Sequence, residues 1–209
     1  MTLKLNGSSS GYTAIDAPAS AGSNTLVLPT TNGSAGQVLT TDGNGNLSWK
    51  TPGKLLNIVQ NNITEKLSNS TASEAWWTPS ELNTNITPAT GSKVLIQGWI
   101  NVGASAGMTI FIKLRRGSTD ISIADAAGSR RRSTASGNCI SVSGSQAVPF
   151  SFLDASPGGD GSTAITYTIY LSHPSGSTQT ISINSDHADG DDADAARQSS
   201  NIILMEVAA

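Results

Sequence analysis

An all-β fold, an antiparallel β-sandwich or jelly roll with a small extended β module ahead of it, is what this sequence predicts. Three observations carry the prediction. Only 13% of the 209 residues are charged, where about a quarter is usual, so the charged helix formers Glu, Lys and Arg are scarce beside Gly, Ser, Thr and Asn. Hydrophobic residues make up 37% of the chain, enough for a core, and the low charge leaves little self-repulsion. The apolar positions recur with period two, and no segment shows a persuasive 3.6-residue repeat. A surface rich in Thr and Ser and poor in charge also buries well against copies of itself, which points to an oligomer.

Residues 1–53 read as one compositional block with four charges, Lys4, Asp16, Asp42 and Lys50. Three short extended pieces are expected, at 2–5, 25–28 and 37–41. Within "GSAGQVLTTDGNGNLSW" (33–49), Asn44-Gly45 is a strong two-residue hairpin signal, because both residues tolerate positive φ. Centring the turn there places Thr40 opposite Trp49, with Leu47 also on the return strand. A lone hairpin is marginal in water. Val38, Leu39, Asn44, Gly45, Leu47 and Trp49 are therefore read as an attachment module that needs a partner surface, and Thr51-Pro52-Gly53 closes the block.

From 54 to 209 the strands lengthen into a second domain. "KVLIQGWINV" puts Val94, Ile96, Gly98, Ile100 and Val102 on one face. "TIFIKLRRG" separates Ile110, Ile112 and Leu114 from Phe111, Lys113 and Arg115, and "AITYTIYL" turns Ile165, Tyr167, Ile169 and Leu171 inward. Such alternation marks strands with one buried face. Weaker strands are expected at 55–59, 120–123, 139–142, 148–153, 179–184 and 201–207, separated by the turn-forming stretches "GSTD", "ASPGGDGS" and "HPSGS". Eight or nine short strands without intervening helices define a sandwich. The last strand is nearly continuous in apolar residues and is expected to be buried on both faces, with a neighbouring subunit as the second layer.

The net charge of −3 gives no global attraction to nucleic acid or anionic membrane. No apolar run approaches 18 residues, and no basic-then-apolar start is present, so neither membrane insertion nor a secretory signal is expected. The nucleotide-binding and hydrolase signatures are missing too, so no cofactor and no enzymatic activity are expected. Cys139 is read as opening a buried strand, and His173 and His187 as surface residues.

The remaining candidates are clusters. "NSDHADGDDADAAR" holds Asp186, Asp189, Asp191, Asp192 and Asp194, hard oxygen ligands dense enough for calcium. Twelve positions on from Asp186 stands Arg197, where an EF-hand loop needs Glu. A solvated acidic loop, or one paired with the basic loop Arg130, Arg131 and Arg132 across subunits, is the competing reading. In "EAWWTPSEL", adjacent Trp76 and Trp77 point to opposite sides of an extended chain. One of them is then available to stack on a sugar or pack at an interface, unless both close the end of the sandwich.

The stretch "LKLNGSSSGYTAIDAPASAGSNTLVLPTTNGSAGQVLTTDGNGNLSW" resembles a module found in tail-fibre and other virion proteins of phages, notably those of marine cyanobacteria. Its marks are A-P-A-S, a strand closing on L-P, and G-Q-V-L-x-T-x-G-x-G-x-L-x-W. The pieces "KVLIQGWINVG", "IKLRRGSTDIS", "DAAGSRRR", "FSFLDASPGG", "TYTIYL" and "NIILMEVAA" (93–209) resemble a second domain of such proteins. The resemblance implies a trimeric jelly-roll domain on a virion, in tail or capsid, held to other virion proteins by the amino-terminal module. Three functions follow as expectations: a short fibre or knob that contacts a host surface glycan, a capsid decoration protein, and, last, a polysaccharide depolymerase using Asp154 and Asp160.

Overall fold

The structure, a computed structural model, describes residues 3–52, 55–191, 193 and 196–208. It divides into two units, Met1–Pro52 and Gly53–Ala209.

The first unit holds two hairpins. Strands β1 (Leu3–Asn6) and β2 (Tyr12–Ile15) pair with Leu3 opposite Ile15, and β3 (Val38–Thr41) pairs with β4 (Leu47–Lys50). The sequence did not announce β2, because "YTAI" is too short to show a period. The expected strand at 25–28 reduces to one parallel bridge: the Val27 N–H donates to Gly45 O at 2.9 Å, and the Leu47 N–H to Val27 O at 2.8 Å. The predicted hairpin register is also one residue off, since Leu39, not Thr40, faces Trp49. The cause is the carboxylate of Asp42. It accepts the N–H groups of Asn44 (2.8 Å) and Asn46 (3.1 Å) and the Asn46 side-chain amide (2.8 Å), stabilising a five-residue loop. Positive φ falls on Gly43 and Gly45, which flank Asn44.

None of the described residues 3–52 is buried. Leu3, Leu5, Tyr12, Ile15, Leu26, Val27, Leu28, Val38 and Leu39 are each between 44% and 70% exposed. This unit has strands but no core.

The second unit is an antiparallel β-sandwich of eleven strands: β5 (Leu55–Ile63), β6 (Leu67–Thr71), β7 (Thr84–Ile86), β8 (Lys93–Ala104), β9 (Met108–Arg116), β10 (Thr119–Ile121), β11 (Ala135–Cys139), β12 (Ser145–Asp154), β13 (Ile165–Ser172), β14 (Gln179–Ile183) and β15 (Ser200–Val207). A 3₁₀ turn spans Ser80–Leu82. In the larger sheet, β12 runs along one edge of β8. The other edge is shared end to end, with β15 on Lys93–Trp99 and β14 on Val102–Ala104. Strands β5 and β6 lie beyond β15 and β14. In the smaller sheet β9 carries β10 and β11 along one edge and β13 along the other, with β7 beyond β13.

The inward sets read from the three long strands make the core. Val94, Ile96, Ile100, Val102, Ile110, Ile112, Leu114, Tyr167, Ile169 and Leu171 are all inaccessible to solvent, and Ile165 packs partly buried against them. Gly98 stays small because Phe150 of β12 and the Asn201 backbone fill its place.

Strand β15, central between β5 and β8, buries Ser200, Asn201, Ile202, Leu204 and Glu206 within the chain and leaves Ile203, Met205 and Val207 half-buried. Two expectations need correction. Cys139 ends β11 instead of opening a strand, and the next residue, Ile140, is 83% exposed. The strand is the weakly apolar "ASGNC", held by its ladder to β9. His173 is fully buried, its Nε2 lying 3.1 Å from Thr71 O.

Candidate functional site

With the core between the sheets, each sheet turns an outer face away from the other, and the two faces differ in chemistry. On the larger sheet the pairing registers place Leu153, Leu95, Met205 and Ile58 side by side across β12, β8, β15 and β5. The next rows are Ser151–Gln97–Ile203–Gln60 and Pro149–Trp99–Asn201–Asn62, while Lys93, Val207 and Leu55 lie on the other side. Leu153 is 47% exposed, Ile58 56% and Leu55 48%. Among the described residues these rows hold one charge, Lys93. The Oδ1 of Asn201 is buried there with no hydrogen-bond partner among the described residues.

The outer face of the smaller sheet is basic and aromatic. Trp77 pairs its backbone with Leu171 (2.8 and 2.7 Å) and packs on the core. Trp76, one residue earlier, therefore turns outward, and Thr78 Oγ1 meets Thr168 Oγ1 at 3.2 Å on the same side. The segment is pinned upstream by Glu74, whose φ is 67° and whose N–H donates to His173 O at 3.1 Å. Lys113 Nζ lies 4.1 Å from the centre of the Trp76 ring, and Arg115 stacks 4.9 Å from Tyr170. Arg131 reaches in from the 122–134 loop, 5.8 Å from Trp76 and 5.9 Å from Phe111. Contacts of this kind contribute roughly 0.5–2 kcal/mol each. Asp120 pairs with Lys113 (3.0 Å) and Arg115 (2.6 Å), and Glu74 with Arg131 (3.4 Å). Arg130 and Arg132 are exposed, and Arg132 Nε donates to Ala124 O.

The acidic loop leaves the larger sheet where β14 and β15 part. Asn184 marks the junction: it donates to Ile63 O and Glu65 O and accepts from Ser200 Oγ. Among the described residues of the loop, Asp189 finds its counter-charges within the chain outside 130–132. Asp189 pairs with Lys66 at 2.7 Å and Arg197 at 2.9 Å, and the Lys66 contact above all holds its carboxyl below the usual carboxylate range. Asp186 is buried and accepts the Asp189 N–H. No metal-ligating cluster forms among the described residues. Asp191 lies in the exposed part of the loop. Asp192 and Asp194 fall outside the described residues.

Asp154 and Asp160 do different work. Asp154 is buried; Arg116 Nη1 contacts both its oxygens at 2.8 Å and Tyr167 OH donates to Oδ2 at 2.8 Å. Burial, and then this carboxylate, push the Tyr167 hydroxyl far above its ordinary pKa. Asp160 is exposed and accepts from the backbone and hydroxyls of Ser162 and Thr163, which hold its carboxyl well below the usual range. Both carboxylates are committed to structure.

In the attachment module, Trp49 Nε1 donates to Thr31 O at 2.7 Å and the indole packs on Gly33. Val38 and Leu39 are exposed, and Leu47 is half-buried. Neither the forked sheet nor the cation–aromatic ladder was apparent in the sequence, although the outward set Phe111, Lys113 and Arg115 was.

No family model and no curated protein matches this sequence. Among solved structures the chain is similar to that of infectious bursal disease virus Gx strain, with 15% identity and a TM-score of 0.40 over 77% of this chain. It is also similar to that of the Gt strain, with 11% identity and a TM-score of 0.42 over 98% of this chain. It spans 42% and 46% of those two chains.

Proposed function

We propose that this protein is a non-enzymatic structural component of a virus particle, a homotrimeric short fibre or knob that assembles through the outer face of its larger sheet. The observation that supports assembly is the row Leu153–Leu95–Met205–Ile58, apolar across four strands. Four strands about 4.8 Å apart and four rows about 6.7 Å apart make a flat patch of roughly 500 Å² before side-chain relief is counted. That is the order of the ~800 Å² each partner contributes to a stable interface. The occupant is a second copy of this chain. With Lys93 as its single charge among the described residues, the patch repels a neighbouring copy little and offers no charge pattern that selects another partner. In a trimer it meets a different surface of the next copy, a heterologous contact that closes a ring.

Placement on a virion, and the trimeric count, rest on the resemblance of residues 3–49 and 93–209 to phage structural domains. The coreless first unit supports its role as an attachment device to another virion protein. The trimer would work by burial and avidity, three modest sites presented together. Light scattering of the full chain tests assembly: a trimer at micromolar concentration is expected, and a stable monomer overturns it. Copy number per purified particle tests location, a tail-level count supporting the fibre and a shell-level count replacing it with a capsid decoration protein.

A further inference from the structure

We propose that the outer face of the smaller sheet binds an acidic polysaccharide, a polymer bearing about one carboxylate per sugar, with Trp76, Lys113, Arg130 and Arg131 as its contacts. This rests on the reading above in one respect: copies associate through the opposite sheet, which leaves this face open.

The argument begins with charge. Lys113, Arg115 and Arg131 share two carboxylates, Asp120 and Glu74, and Arg130 adds an exposed cation on the same loop. The face is positive on a chain whose net charge is −3. Glu74, the counter-ion of Arg131, is 72% exposed and so readily displaced, whereas Arg131 is held at 15% by Ser172 Oγ and two aromatic rings. A guanidinium held in place, with a dispensable counter-ion, is suited to an incoming carboxylate.

The aromatic and hydroxyl groups define the rest of the ligand. Trp76 and Tyr170 present ring surface for the apolar faces of sugars, and the half-buried Thr78 lies on the same side as Trp76. The surplus of charge is small. Duplex DNA, with one charge per about 1.7 Å, would demand far more cations than this face holds. A polymer of one carboxylate per sugar matches it.

The experiment is calorimetric titration of the full chain with alginate, with dextran as the uncharged control and light scattering on every sample. Expected is binding to alginate and none to dextran, weakened by salt as the Debye length falls from ~30 Å at 0.01 M to ~8 Å at 0.15 M. Arg130→Glu, on an exposed side chain, should weaken binding about tenfold or more with an unchanged fold. Trp76→Ala should also weaken it by about tenfold, the stacking of one ring. Equal affinity for dextran, full affinity in Arg130→Glu, or no alginate binding by a correctly assembled protein overturns the proposal. If Arg130→Glu or Trp76→Ala breaks the assembly, the face is a contact between copies and the proposal also falls. A protein that is monomeric yet binds alginate through these residues keeps this inference and removes the assembly reading alone.

Discussion

Gly33 and Trp49 are in direct contact: a Cβ at position 33 would come 2.6 Å from Cδ2 of the indole. Gly33 also has φ +70°, a conformation that side chains rarely adopt. A glycine without a side chain is what allows Trp49 to close over the 31–33 segment and donate to Thr31 O. Gly33→Ala should therefore open the first unit at a cost of about 1–3 kcal/mol. Limited proteolysis within residues 25–45 should accelerate by roughly 5- to 150-fold, with the thermal midpoint of the second unit unchanged.

Arg116, Asp154 and Tyr167 tie the two sheets together by a buried charge and two donors. Asp154→Ala leaves Arg116 without its partner, a loss of about 3–5 kcal/mol. A drop in Tm of roughly 6–20 °C should follow in calorimetry, at about 2–4 °C per kcal/mol for a unit of this size. Asp160→Ala, at an exposed turn, should move the midpoint far less.

Alkaline pH should act through Tyr167. Its folded pKa is raised by burial and by Asp154, so the unfolded chain ionises first, near pH 10. The stability contributed by the neutral phenol is thus fully present below about pH 10 and is lost as pH rises above that, at up to ~1.4 kcal/mol per pH unit. Tyr167→Phe should start about 1–3 kcal/mol less stable, because Asp154 loses a donor, but should show a flatter decline in chemical denaturation between pH 10 and 11.

Gly98→Ala should be destabilising even though the position faces the core and alanine is apolar. The added methyl would meet Phe150 Cζ at 2.9 Å and, closer still, the Asn201 carbonyl oxygen. About 1–3 kcal/mol is expected, or roughly 2–12 °C in Tm. Phe150→Leu in the same chain should not restore it, because the backbone clash remains.

On the outer face of the larger sheet, Met205→Lys should place a charge in the middle of the apolar row. Light scattering should then report monomers, while far-ultraviolet circular dichroism stays unchanged. A trimer that survives this change would show that copies meet elsewhere.

The long strands were legible because each carries its own instruction. Val94 to Val102, Ile110 to Leu114 and Ile165 to Leu171 alternate for long enough that the period is unmistakable, and their inward faces became the core. Short strands were not: Tyr12–Ile15, Leu67–Thr71 and Thr84–Ile86 have too few residues for a period and exist because a neighbouring ladder recruits them. Asn44-Gly45 marked the loop but not its register, which Asp42 decided through three hydrogen bonds.

By itself, the sequence determined the all-β class and the inward set of the longest strands, because these follow from composition and local periodicity. The tertiary structure alone decided which outward faces share a surface. Leu153 and Ile58 are nearly a hundred residues apart in sequence yet fall in one row, and Trp76 meets Lys113 and Arg131 only because Trp77 is bridged to Leu171. Register between strands is a long-range quantity, set by hydrogen bonds that close only once the core has formed. The candidate surfaces therefore came from the fold, although Trp76 and the run Arg130, Arg131 and Arg132 already stood out in the sequence.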